Sequence, residues 1–266
     1  MTPTACMRFL VLNISTCQET GSDFITAQEL WIRREGLLKG FEKFESDVFI
    51  GVEQLDRILG LRCGKFVALH GRPSLDLSFL LCVKSILPQP LGLDAHVIFV
   101  DGGNVFDPYA ISEHAIEHEL NPEMVLERIH ISRAFTYHQL TSLLSKKLPT
   151  TMDTYAAKLV IVSDMTQLYC DPDIRGDDEQ DALQIFLKTV RFLRALAERK
   201  HVLILVTTLQ SRNLRMDNLL LSSAHVSAKL KDVDTFTELS VVRHPWIPQL
   251  KTTIPKPGVR TLERYL

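Results

Sequence analysis

The chain has 266 residues, 45% of them hydrophobic, and a formal net charge of −2. That is enough apolar sequence for one large core or two modest ones, and it excludes both a disordered chain and a globally basic nucleic-acid binder, so any contact with DNA has to come from a local patch or through a partner. The five cysteines, Cys6, Cys17, Cys63, Cys82 and Cys170, are odd in number and never in C-x-x-C spacing, which argues against a disulfide framework or a zinc ribbon and points to a reducing compartment.

In chain order, the first apolar run, Phe9 to Leu12, is too short for a secretory segment, and no stretch approaches the ~20 apolar residues of a membrane span. The expectation is an intracellular protein with no membrane contact, cytoplasmic or nuclear. Apolar runs of strand length then recur at 65–70, 96–101, 128–132, 158–163 and 201–209, with helical patterns between them. The clearest helix is Glu179 to Lys200, where Leu183, Phe186, Leu187, Val190, Leu193 and Ala197 form one apolar stripe. Continuous apolar strands alternating with helices predict an α/β fold: a mostly parallel twisted sheet covered on both faces. Two further runs, "AHVSAKL" and "FTELSVVR", alternate as antiparallel edge strands would. "HPWIPQLKTTIPKPG" reads as irregular. The resulting division is an N-terminal segment 1–47, a sheet core 48–245 and a tail 246–266.

Six segments carry a resemblance: "GVEQLDRILG" at 51–60, the strand and loop at 65–78, "VIFVDGGNVFDP", "LERIHISRAFTYHQLTSLL", "LVIVSDMTQLY" and "ILVTTLQSR". In order and spacing they resemble the RecA/RadA recombinase ATPase core, in its archaeal and eukaryotic branch. The resemblance implies a RecA-like P-loop fold for residues 24 to about 245.

Its chemistry does not carry over. A phosphate loop reads G-x-x-x-x-G-K-[ST], because backbone N–H groups cradle the phosphates, the lysine reaches the β/γ oxygens and the hydroxyl holds magnesium. Gly71 to Ser78 read GRPSLDLS. Gly71 and Ser78 match, but Asp76 replaces the second glycine and Leu77 the lysine, placing a carboxylate where an anion should sit. By the resemblance, Asp101 is kept while Gly103 stands at the water-activating glutamate, and Ser163 stands at the magnesium-associated acid with Asp164 one step later. A one-residue slip in a strand points the carboxylate the other way unless a bulge corrects it. The expectation is a pseudo-ATPase with no cofactor, binding ATP weakly or not at all. A divergent active ATPase would need Lys65 or Arg72 to supply the missing charge. A second pattern, His114 to His118, matches H-x-x-E-H, but the polar helix around it explains those residues as a solvated face and no metal is expected.

The resemblance also implies two DNA loops. The first holds Arg175 among Asp171, Asp173, Asp177, Asp178 and Glu179, and the second has only Arg212 and Arg215 as cations, so DNA contact is expected to be weak or indirect. Assembly signals are better kept. Phe24 and Ala27 match the Phe-x-x-Ala segment that the family inserts into a neighbour, and Ala134, Phe135, His138, Gln139, Leu140 and Leu144 match the accepting pocket. The residues before Phe24 are too few for the family's N-terminal helical DNA-binding domain. A short paralogue is implied, one that acts as accessory factor to a RadA-type recombinase, or self-associates, in homologous recombination and repair; a KaiC-like signalling module is the rival. Finally, Val259, Leu262, Tyr265 and Leu266 in "VRTLERYL" resemble a sliding-clamp box without its leading glutamine.

Overall fold

A computed structural model describes residues 48, 50, 53–88, 91–170, 174, 177–209, 213–234, 236–247 and 249–255. In these, helix α1 (Glu53–Leu59) leads into β1 (Phe66–His70) and α2 (Pro73–Ile86). Strand β2 (Val97–Asp101) is followed by α3 (Pro108–Glu117), α4 (Pro122–Glu127) and β3 (Ile129–Arg133). Next come α5 (Tyr137–Ser142), a π-type turn (Leu143–Lys147) and α6 (Leu148–Tyr155), forming one continuous rod. Pro149, early in α6, lacks the N–H that an α-helical ladder needs, which accounts for the wider turn before it. The chain continues through β4 (Leu159–Ser163), α7 (Met165–Tyr169), α8 (Asp177–Lys200), β5 (Leu203–Thr208) and α9 (Leu214–Ser223), then β6 (Val226–Val233), β7 (Phe236–Arg243) and β8 (Lys251–Pro255).

The strands form one sheet in the order β3-β2-β4-β5-β1-β6-β7-β8. The first six pair in parallel and β7 and β8 are antiparallel. Strands β2, β4 and β5 are buried at every residue, as a sheet covered on both faces requires. One core packs α2 on the side of Val67, Leu69, Phe99 and Ile161, with the Phe79, Phe99 and Phe106 rings in mutual contact. The other packs α5, α6, α8 and α9 on the side of Phe66, Ala68, Ile98 and Val162, around Tyr169 and Phe186.

The sheet adds one pairing to the sequence reading and corrects it in one place. Strand β6 is not a purely antiparallel edge: Val67 to His70 of β1 pair with Val226 to Lys229 in parallel, and only β7 runs the other way. Its first three residues are buried and its last three exposed, because it projects beyond β1 together with β7 and β8. The stretch read as an irregular tail supplies β8, which covers β7 from Ser240 to Phe236. Its proline Pro255 ends an edge strand, where no ladder donor is needed.

The entry side of the sheet is fastened by a histidine of fixed tautomer. Phe66 N–H donates to His225 Nδ1 at 2.9 Å, so the ring proton is on Nε2, which donates to Glu198 Oε1 at 2.7 Å. Burial pushes this imidazole below its ordinary 6.5, against the pull of Glu198. The unfolded chain therefore takes up a proton that the folded one resists, so this contribution is complete above about pH 6.5 and lost as pH falls below it. The melting temperature should be lower at about pH 5.5 than at pH 7.5, and less so in His225→Asn, whose Oδ1 accepts from Phe66 without titrating. A melting temperature that rises on acidification contradicts this assignment.

Candidate functional site

The carboxyl ends of the parallel strands gather the chemistry-bearing residues, as open α/β sheets do. Between β1 and α2 only Gly71 and Arg72 lie outside regular structure. Pro73 sits at the start of α2 with its φ preset for the first turn, so the helix begins four residues before the position of the missing lysine. Asp76 is thereby an exposed residue in the first turn of a helix rather than in a loop. Leu77 is 1% exposed and part of the core beneath α2. Ser78 is buried and its hydroxyl donates to Leu75 O at 2.6 Å, while that of Ser74 donates to Gly71 O at 2.6 Å. Gly71 has φ +108°, and a Cβ there would lie 1.9 Å from Leu230 O. The glycine permits the close approach of β6.

The next strand end is organised by Asp101, which is fully buried. Its Oδ1 accepts from Ser163 Oγ at 2.8 Å and Val105 N at 3.0 Å, and its Oδ2 from Phe106 N at 3.1 Å. Arg133, at the end of β3, places Nε 3.3 Å from Oδ2. One carboxylate thus holds the loop after β2, the end of β4 and the end of the edge strand.

Asp164 does not take over the place of Ser163. It leaves the strand in the left-handed region, φ +43°, and opens α7. Its N–H donates to Thr207 Oγ1 at 3.2 Å and its Oδ1 accepts from Leu209 N at 3.1 Å, so it faces the end of β5. A Cβ on Gly103 would lie 2.7 Å from Asp164 Cβ. The two departures from the family pattern are therefore coupled, not independent: no side chain fits at 103 while Asp164 stays where it is. The sequence held one signal for the short β1–α2 turn, the proline at 73; Arg133, Thr207 and the Leu209 amide, which complete the network, belong to no motif.

On the opposite face of the rim His70 Nδ1 bonds to Thr208 Oγ1 at 2.7 Å, and burial pushes this imidazole down, opposed by Asp217. Asp217 is 3% exposed; its Oδ1 accepts from Thr166 Oγ1, and its Oδ2 has no hydrogen-bond partner among the described residues. Of the remaining predicted residues, Ala134, Leu140 and Leu144 lie in the chain's own core, whereas Phe135 is 70% exposed and His138 and Gln139 are exposed. Gln139 Oε1 accepts from Phe135 N at 2.9 Å. Arg215 is exposed at the start of α9. Phe24, Ala27, Arg175, Arg212 and the 256–266 tail lie outside the described residues. His114 pairs with Glu117 and His118 with the His114 carbonyl. Among the described residues no three potential ligands come together for a metal, and no helix is long and apolar enough to cross a membrane.

The Rad51 family model matches residues 47–220. The chain is 30% identical over 192 residues to the DNA repair protein RAD51 of Mycosarcoma maydis, covering 69% of this chain and 53% of that protein. It is 28% identical over 192 residues to the DNA repair protein rhp51 of Schizosaccharomyces pombe (69% and 50%) and 27% over 165 residues to the DNA repair protein Rad51 homolog of Drosophila melanogaster (59% and 48%). The chain spans about half the length of the curated relatives it matches.

Restoring the motif lysine should damage this corner, and so should adding a Cβ at Gly71. Leu77→Lys buries an ammonium in an apolar core and should cost at least about 3 kcal/mol, and Gly71→Ala, which needs β6 to move, about 2–4 kcal/mol. Urea titrations measure both; either variant with wild-type stability would show that the turn has room the structure denies it.

Proposed function

The chain belongs to the Rad51 family, and from that premise we propose that it is a recombination and repair protein whose nucleotide corner has become structural. On this reading it is an accessory factor that docks on recombinase filaments, and it neither holds nor hydrolyses ATP. The observation that carries the reading is Leu77, the residue in the lysine position, sealed at 1% exposure in the core. Catalysis of phosphoryl transfer is mostly positioned charge, and here the lysine position holds an alkyl chain and the glutamate position has no room for one.

Docking is supported by the edge strand. Among the described residues β3 pairs only with β2, so its outer N–H and C=O groups are open, and Ile131 (46%) and Phe135 (70%) expose apolar surface beside them. An extended segment that adds a strand and plants an aromatic side chain fits such an edge. We assign that segment to a Phe-x-x-Ala donor, from a recombinase or from Phe24 and Ala27 of a second copy. Because Ala134 is buried in the chain's own core, a charge placed there would test folding; Ile131 is the surface probe.

Two outcomes are expected. Millimolar Mg-ATP should leave the melting temperature unchanged, whereas a ligand at 1,000 times its Kd would add ~4.1 kcal/mol. Phe24→Ala, acting as donor, and Ile131→Lys, acting as acceptor, should each weaken their own docking contact by about 2–4 kcal/mol, roughly thirty- to several-hundredfold. Light scattering with the cognate recombinase reads this; complexes intact in both variants would remove the accessory-factor reading, and a large nucleotide shift would remove the inactive corner.

A further inference from the structure

The outward side of α8 carries cations that form no ion pair among the described residues. Lys188, Arg191 and Arg199 are exposed along it, and Lys146 and Lys147 are exposed on the π-type turn. Two pins set the turn beside the helix. The Tyr169 hydroxyl bridges Thr141 and Thr189, at 2.7 and 3.5 Å, and Lys200 pairs with Asp153 at 2.7 Å. The rod of α5, the π turn and α6 therefore runs alongside α8 in the same direction, and Lys146 and Lys147, five and six residues past Thr141, fall level with residues 194 and 195. Arg191 and Arg199 lie about a turn to either side of that level.

None of these five cations forms an ion pair among the described residues. Two carboxylates of this region are engaged: Glu198 with Arg194 and His225, and Asp153 with Lys200. The remaining acids of α8, such as Asp178, Glu179 and Asp181, are at its other end. Cations near a helix C-terminus complement its dipole, but Lys188 and Arg191 are mid-helix, beyond the reach of that effect.

We infer that this surface binds the phosphate backbone of a nucleic acid. A chain of net charge −2 has no general attraction for polyanions, so a segregated group of unpaired cations is the local patch such binding needs. An acidic protein partner fits less well, because a protein interface has an apolar centre. None of the exposed large apolar side chains among the described residues falls on α8 or the π turn. This surface is separate from Arg175, Arg212 and Arg215 and independent of the nucleotide corner.

The test is fluorescence anisotropy of the full chain with a labelled oligo-dT of about 30 nucleotides, with poly-Glu as the comparison anion. Five phosphate contacts predict a log–log salt slope of about −3.5, so affinity should fall about a hundredfold between about 50 and about 200 mM salt. Lys146→Gln/Lys188→Gln/Arg191→Gln should reduce that slope by about 2 with an unchanged melting temperature, since all three side chains are exposed. Arg175→Gln/Arg212→Gln/Arg215→Gln should keep it. The inference is overturned if the oligonucleotide does not bind at low salt, if only poly-Glu binds, or if the loop variant rather than the patch variant loses the slope.

Discussion

A carboxylate with no access to water must find its donors inside the protein, and Asp101 finds them on three other segments. Ser163 from β4, the Val105 and Phe106 amides from the loop, and Arg133 from β3 all converge on it. Hydrogen bonds to a charged group contribute on the order of 1.5–3 kcal/mol each, so the arrangement fixes the rim strongly. Ser163 matters here as a donor. A carboxylate in its place would face Asp101 at hydrogen-bonding distance and would need a cation between the two. The serine removes that need, and with Ser163 ending β4, Asp164 turns through a left-handed residue toward β5 and fills the space above Gly103.

From that corner the proposed function follows by steps of packing. The short turn from Gly71 to Pro73 starts α2 early, turns Leu77 inward and commits the Ser78 hydroxyl to its own helix. On the proposed reading the rim is complete without a ligand. Arg133 ties the same network to the end of β3, the strand whose open edge we propose as the docking surface. On this reading the edge is held in shape by an internal ion pair, and the sheet serves as a scaffold with docking at one edge and a charged surface along α8.

Much of this was legible in the sequence, and the gaps have physical causes. The buried strands β1, β2, β4 and β5 stand out as apolar runs because both faces are covered, and α8 because its stripe has helical period. The substitutions at Asp76, Leu77, Gly103 and Ser163 were visible from a motif. Their coupling was not, since the approach of Asp164 to Gly103 is a contact between segments far apart in the chain. Strands β6 and β7 pair antiparallel as their alternation suggested, but the parallel pairing of β6 with β1 was not legible, because alternation reports which faces are buried, not which neighbour lies alongside. Strand β8 was missed because prolines flank it, and prolines at the ends of an edge strand interrupt no ladder. Of the residues read as the accepting pocket, Ala134, Leu140 and Leu144 are buried and Phe135, His138 and Gln139 exposed, a division the motif does not give because it names residue types and leaves their direction to the packing.

The central claim is that the nucleotide corner is complete without nucleotide. Amide hydrogen exchange of the full chain measures this most directly, at Val105 and Phe106, whose N–H groups donate to Asp101. The account predicts strong protection of both amides in nucleotide-free protein and no change on adding millimolar Mg-ATP. Rapid exchange there that slows when Mg-ATP is added would mean that the corner still waits for a ligand, and would contradict it.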